Sequence, residues 1–186
     1  SNVIDYITIA STGNATDFGN LSVGRFYPSA CSNRSRGLFG GGKTSSQSNV
    51  IDYVTIGTTG NATDFGNLTV SRNGPGACSD GTKGLWGGGN TGSNSNVIDY
   101  VTIATTGNAS DFGDLTVSRY GSAACSDGTK GLFGGGDVGH VSNVIDYITI
   151  ATTGNASDFG DLNHSRSQLA ACSDGTKGVF GGGYDE

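Results

Sequence analysis

The sequence predicts an all-β protein built from four copies of one unit, and three observations predict it. The first is periodicity. Ser-Asn-Val-Ile-Asp-Tyr recurs at Ser1, Ser48, Ser95 and Ser142, and a triple glycine at Gly40–Gly42, Gly87–Gly89, Gly134–Gly136 and Gly181–Gly183. The repeats therefore run 1–47, 48–94, 95–141 and 142–186 without a linker, as a single domain over 1–186. A unit this short cannot bury its own apolar face, so each copy must pack on its neighbours. The second observation is residue type. Apolar residues are β-branched or aromatic and come in short runs, the pattern of strands rather than of an amphipathic helix. The third is punctuation, since 34 glycines supply tight turns between those runs.

The third copy shows each element in order. Asn96–Ala104 is the clearest strand, apolar on both alternating faces through Val97, Val101 and Ile103 on one and Ile98 and Tyr100 on the other. Such a strand is buried on both sides. Thr105-Thr106-Gly107-Asn108-Ala109-Ser110 supplies a turn, and residues 111–117 form a more polar strand suited to a sheet edge. After Arg119, residues 123–126 make a short strand of small residues. Asp127-Gly128 signals a hairpin whose partner is Lys130–Gly135.

Four short antiparallel strands in one repeat match the size of a propeller blade. The expected fold is a β-propeller of four four-stranded antiparallel blades, with small residues at the crowded inner strand and the polar strand at the rim. The chain begins in a third strand and stops just after a second. Closure of the ring would pair residues 170–183 with residues 3–22, so that the termini share one blade and no edge is left open. An open fragment, or two chains joining into a larger ring, are the alternatives. The missing initiator Met suits a processed product or a piece of a longer array.

The order of Arg, short strand, Gly-Leu-Phe-Gly-Gly, loop, Tyr-containing strand, turn and aromatic strand resembles the kelch repeat. The likeness rests on Gly134-Gly135, Tyr100 and Phe112 and their counterparts in every copy. It departs at the fourth-strand aromatic, which is Phe18, Phe65, Phe112 or Phe159 where kelch repeats usually carry Trp, and in its short first strand. Four units are also few for that family. Near-identical arrays of this kind also resemble appendage proteins and adhesins of phages and large viruses. That likeness implies an extracellular or virion-surface setting. The fold hosts enzymes, adaptors and binders alike, so it does not choose a function.

Composition narrows the field. Ten basic residues spread over four copies, with a net charge of −6, make no basic stripe, so nucleic acid is not expected as a partner. No apolar stretch approaches a membrane span, so no membrane insertion is expected. Cys31, Cys78, Cys125 and Cys172 are equivalent positions in different units. They suit small buried residues better than disulfides or a tetrahedral metal site. The two histidines, His140 and His164, sit in non-equivalent places, and Asp137 with His140 gives too few ligands for a metal. Neither a nucleophile–base arrangement nor a cofactor site can be read, and the chain is expected not to be an enzyme.

The copies differ in two places, the link from fourth to first strand and the segment after the triple glycine. In an up-and-down blade these two connections lie on one face of the disc, opposite the repeated turns. Loops on a rigid scaffold are where binding usually lives. The expected binding residues are Phe26, Tyr27, Asn73, Tyr120 and Gln168 from the first set, and Lys43, Asn90, Asp137, His140 and Tyr184 from the second. Aromatic rings among amides and hydroxyls suit a glycan or protein surface. The other reading of the same differences is drift in unconstrained loops.

The expected function is therefore a non-enzymatic binding module. The alternative is a structural repeat unit of a fibre or surface assembly, with self-association as its consequence. Mid-strand Asp5, Asp52, Asp99 and Asp146, and Asp17, Asp64, Asp111 and Asp158, are expected to be held by Arg–Asp bridges or backbone NH groups in each blade, rather than to ligate calcium. Eight Asn-X-Ser/Thr sequons, at Asn14, Asn20, Asn33, Asn61, Asn67, Asn108, Asn155 and Asn163, serve turn chemistry or, in a secreted eukaryotic protein, glycosylation.

Overall fold

The computed structural model describes residues 1–185 and contains sixteen strands, all in antiparallel sheets, with no helix among the described residues. β1 (Val3–Tyr6) pairs with β2 (Thr16–Asn20) as a two-stranded sheet. Three four-stranded sheets follow in chain order. The first holds β3 (Ser29–Ser32), β4 (Arg36–Gly40), β5 (Val50–Thr55) and β6 (Thr63–Asn67). The second holds β7 (Gly76–Ser79), β8 (Lys83–Gly87), β9 (Ser95–Thr102) and β10 (Ser110–Arg119). The third holds β11 (Ala123–Ser126), β12 (Lys130–Gly134), β13 (Val144–Thr149) and β14 (Ser157–Asp161). The chain ends in a second two-stranded sheet of β15 (Ala170–Ser173) and β16 (Gly178–Gly181).

The strand pattern is the one the repeat predicts. The Asp-Gly hairpin is closed by its own aspartate, since Asp127 Oδ1 accepts from Thr129 N and Lys130 N at 2.7 and 2.6 Å. β9 is buried on both faces, with Ile98 and Asp99 fully enclosed and Val101 nearly so. Where the third and fourth strands pair, a bulge beside Asp52, Asp111 and Asp146 shifts the register. Such a bulge bends the strand and re-aims its side chains.

The expected closure does not occur. β15 and β16 pair with each other and not with β1 or β2, so the termini do not share a blade. Two open ends result. Val3, Ile7 and Ile9 are 55%, 60% and 94% exposed at one, and Phe159 and Val179 are 54% and 58% exposed at the other. The physical reason lies in how each sheet is set against the next. Trp86 of the second sheet lies over Gly40 of the first, Phe133 over Gly87, and Phe180 over Gly134, each ring so close that a Cβ on the glycine would collide with it. Strand β3 packs on β7, β7 on β11 and β11 on β15, so the small-residue strands lie side by side. Identical contacts repeat one fixed step between sheets, and four copies of that step leave the end pairs apart.

The intersheet contacts form the core. Leu38, Ile51, Phe65, Leu68, Trp86, Val101 and Ile103 cluster between the first and second full sheets, and the same positions one copy later cluster between the second and third. Each fully buried side chain of this size contributes about 1.5–3 kcal/mol. The Thr-Gly-Asn turn, read from the sequence as local chemistry, also docks across sheets. Gly60 N donates to Phe18 O, Ala62 N donates to Asn20 O, and Asn61 Oδ1 accepts from Asn20 N. Residues 107–109 repeat this on Phe65 and Asn67, and residues 154–156 on Phe112 and Asp114.

The arginine–aspartate pairs exist, but they run between sheets rather than within a blade. Arg25, Arg72 and Arg119 each reach forward to Asp52, Asp99 and Asp146 at 2.8, 2.8 and 2.9 Å, with both side chains fully buried. A hydroxyl and a backbone NH from Ser22, Thr69 or Thr116 complete each carboxylate's partners. Burial lowers the arginine pKa from its usual value while the paired carboxylate opposes that fall, so the charges survive because they are paired. Asp5 has no such arginine among the described residues, and Asp17, Asp64, Asp111 and Asp158 are exposed.

Candidate functional site

Backbone bridges bring the two variable sets together. Phe26 pairs with Lys43, Asn73 with Asn90, Tyr120 with Asp137, and Ser167 with Tyr184. Of the predicted residues in the fourth-to-first link, Phe26, Asn73 and Tyr120 thus meet a counterpart after the triple glycine, whereas Tyr184 meets Ser167, and Tyr27 and Gln168 lie outside these bridges. The glycines make this possible: Gly42 N donates to Arg72 O of the next copy, and a Cβ on the preceding Gly41, at φ 68°, would collide with that carbonyl. Neighbouring loops are tied as well, because Gln47 Nε2 donates to Asn90 Oδ1 at 3.2 Å and Asn94 Nδ2 donates to Asp137 O at 2.8 Å.

A second ladder runs across the copies. Gly74 N donates to Tyr27 O, Gly121 N to Gly74 O, and Gln168 N to Gly121 O, at 2.9, 2.8 and 2.7 Å. All four residues lie in the left-handed region, with φ of 54°, 63°, 68° and 57°. Glycine takes that conformation freely, whereas Tyr27 and Gln168 carry strain of about 1 kcal/mol or more. They edge a shallow depression of about 260 Å³ that the same ladder floors. Ser122 borders it with a buried hydroxyl that has no hydrogen-bond partner in the structure.

Of the predicted binding residues, Phe26, Tyr27, His140, Gln168 and Tyr184 are exposed, and Lys43, Asn90, Tyr120 and Asp137 are half-buried. Phe26 and Tyr27 stack edge to face at 5.4 Å. Asn73 is buried at 9% exposure, so its side chain is withdrawn from any ligand on this rim. Asn90 and Asp137 each fold their side-chain oxygen back on a loop NH, to Gly92 and Gly139. Sequence reasoning missed Ser122, whose hydroxyl gives no signal until its partners can be counted.

The cysteines are small core residues in three copies and free in all four. Cys31, Cys78 and Cys125 are buried with each Sγ against a glycine at the start of the next copy's second strand, Gly84, Gly131 and Gly178. Burial pushes the Cys31 thiol up to about 12. Cys172 is exposed. No group of three or more His, Cys, Asp or Glu residues comes together among the described residues. No family model matches the chain, and neither does any curated protein.

Proposed function

We propose that the chain is a kelch-like array of propeller type, and that it is a non-enzymatic binding module presenting this rim to a glycan or protein surface. One observation carries the reading: the segments in which the copies differ are joined by backbone pairing onto one edge of an otherwise repeated scaffold. Drift alone does not account for two non-glycine residues held at left-handed φ where the other copies use glycine. Strain of that kind is retained where a side chain has work at its position. The depression offers one phenol and one primary amide beside apolar edges, a mix that suits a single sugar ring or a polar side chain. An adhesin or appendage at a virion or cell surface is the setting such a module fits.

A glycan array and a cell-surface pull-down test it, comparing the parent chain with a Tyr27→Ala/Gln168→Ala variant. Both positions are exposed, so the variant folds. Retention by the parent and loss by the variant is the expected result. Equal retention by both, or none by either, rejects the reading.

A further inference from the structure

The geometry points to a head-to-tail site in which the β1–β2 end of a second copy of this chain seats on the β14–β16 end of the first. At the latter end lies a cleft of about 550 Å³ lined by Leu132, Ile145, Phe159, Leu162, Val179 and Phe180. Leu132, Ile145, Phe159, Leu162 and Phe180 correspond, two copies earlier, to Leu38, Ile51, Phe65, Leu68 and Trp86 of the first core cluster, and there Val101 and Ile103 fill the space between them. The residues that correspond to Val101 and Ile103 in the first copy are Ile7 and Ile9. They are 60% and 94% exposed, against 4% and 0% for their counterparts. One end is a socket and the other carries the side chains whose copies fill that socket twice inside the chain.

Every other intersheet feature is broken at the same two places. β4 pairs with β5, β8 with β9 and β12 with β13, but β16 has no third strand and β1 has no second. The internal register, Leu38 with Tyr53, Phe39 with Asp52 and Gly40 with Ile51, sets Val179, Phe180 and Gly181 beside Tyr6, Asp5 and Ile4 of the second copy. In that register Asp5 of the second copy reaches Arg166. Arg166 already donates to Phe180 O at 3.2 Å, as Arg25 does to Phe39 O at 3.1 Å, yet it lacks the carboxylate that Arg25, Arg72 and Arg119 each hold. The turn at residues 13–15 of the second copy docks on Phe159 O and Asp161 O, the equivalents of Phe18 O and Asn20 O. Gly160, where a Cβ meets nothing, is then covered as Gly19, Gly66 and Gly113 are. Lys130, at the cleft, gains the carbonyls of Ile9 and Ala10, as Lys83 has those of Ile150 and Ala151.

The contact is heterologous. It closes into a ring where the step between sheets sums to a full turn and otherwise propagates as a filament. Occupation of the cleft by the chain's own β1–β2 is the competing outcome, and the experiment separates the two.

Native mass spectrometry and sedimentation of the full chain over a wide concentration series provide the test. Two variants break opposite ends: Ile9→Lys on the inserting side and Val179→Lys in the socket. Both residues are mostly exposed in the lone chain, so neither substitution disturbs its fold. The parent is expected to gain mass in whole-chain steps with concentration, and each variant alone to remain at the mass of one chain. A mixture of the two retains one intact pairing, Ile9 of the Val179→Lys chain in the socket of the Ile9→Lys chain. It therefore forms dimers and nothing larger. A parent that stays monomeric at every concentration overturns the proposal, as does a variant that still assembles or a mixture that does not dimerise. A monomer whose melting temperature falls on Ile9→Lys assigns the cleft to the chain's own end, and also overturns it.

Discussion

Arg72 and Arg166 hold the same position in two copies, and their surroundings differ completely. Arg72 is fully buried and bonded to Asp99, Gly88 O and Val97 O. Arg166 is half-buried, and its side chain makes a single bond, to Phe180 O, among the described residues. The residues between the two ends are alike, so the difference comes from the neighbour. A repeat's side chains acquire their roles only where the next copy is present, which is why stability in such arrays resides in interfaces as much as in units.

Breaking an interior pair while breaking its counterpart at an open end measures this difference directly. Asp99→Ala leaves Arg72 as an unpaired buried charge and is expected to cost about 3–5 kcal/mol in urea unfolding. Asp5→Ala removes the same residue from an exposed end and is expected to leave the unfolding of the single chain unchanged. Equal losses would mean that the two settings do not differ as the structure has them.

Glycine offers a smaller and cleaner contrast. Gly66 and Gly160 have φ of 145° and 135°, so alanine strains both alike. Gly66 also lies under Gly107 O, whereas a Cβ at Gly160 meets nothing within 4 Å. Gly160→Ala is expected to cost about 1 kcal/mol and Gly66→Ala about 1–3 kcal/mol more, because the turn must lift off the strand. Matched melting curves for the two variants would remove the docking of the turn from the account.

The thiols report the comparison without any mutation. A disulfide-exchange reagent is expected to modify Cys172 rapidly and the other three only as the chain opens. If a second copy seats on this end, Gly37 of that copy lies over Cys172 as Gly84 lies over Cys31, and modification slows as concentration rises. Burial also sets a pH dependence. The Cys31 thiol is raised by desolvation from the ordinary value of 9.0 to about 12, so the unfolded chain ionises first. The stability this thiol contributes is complete below pH 9.0 and is lost as pH rises from there towards about 12. A rise in stability across that window, followed by circular dichroism, would contradict a buried protonated thiol.

The smallest effect belongs to the rim. Tyr27→Gly relieves a left-handed tyrosine and is expected to stabilise the chain by up to about 1 kcal/mol while removing a binding residue. A gain in stability together with a loss of retention on the glycan array would show strain kept for recognition. Destabilisation would show that Tyr27 instead holds the loop.

The local architecture is legible in the amino-acid order alone. The alternation of Val97 to Ile103, the Asp-Gly hairpin and the small residues of β11 follow from side-chain period and turn chemistry, which act over a few residues. β11 was legible to the residue, and the order of strands put the two variable segments at the same end of each unit, although their backbone pairing came only with the structure. What depends on one sheet meeting another came from the packing of the folded chain. That packing turned the Asn61, Asn108 and Asn155 turns into intersheet clamps, and it withdrew Asn73 from the rim. It carried Arg25, Arg72 and Arg119 forward to the carboxylate of the following sheet, and it left β1–β2 and β15–β16 apart. A repeat shows which residues are equivalent, but every copy carries the same Arg and Asp, so it cannot show which copy pairs with which. Nor does it contain the step between sheets, which the packing of Trp86, Phe133 and Phe180 over glycine fixes, and on which closure depends.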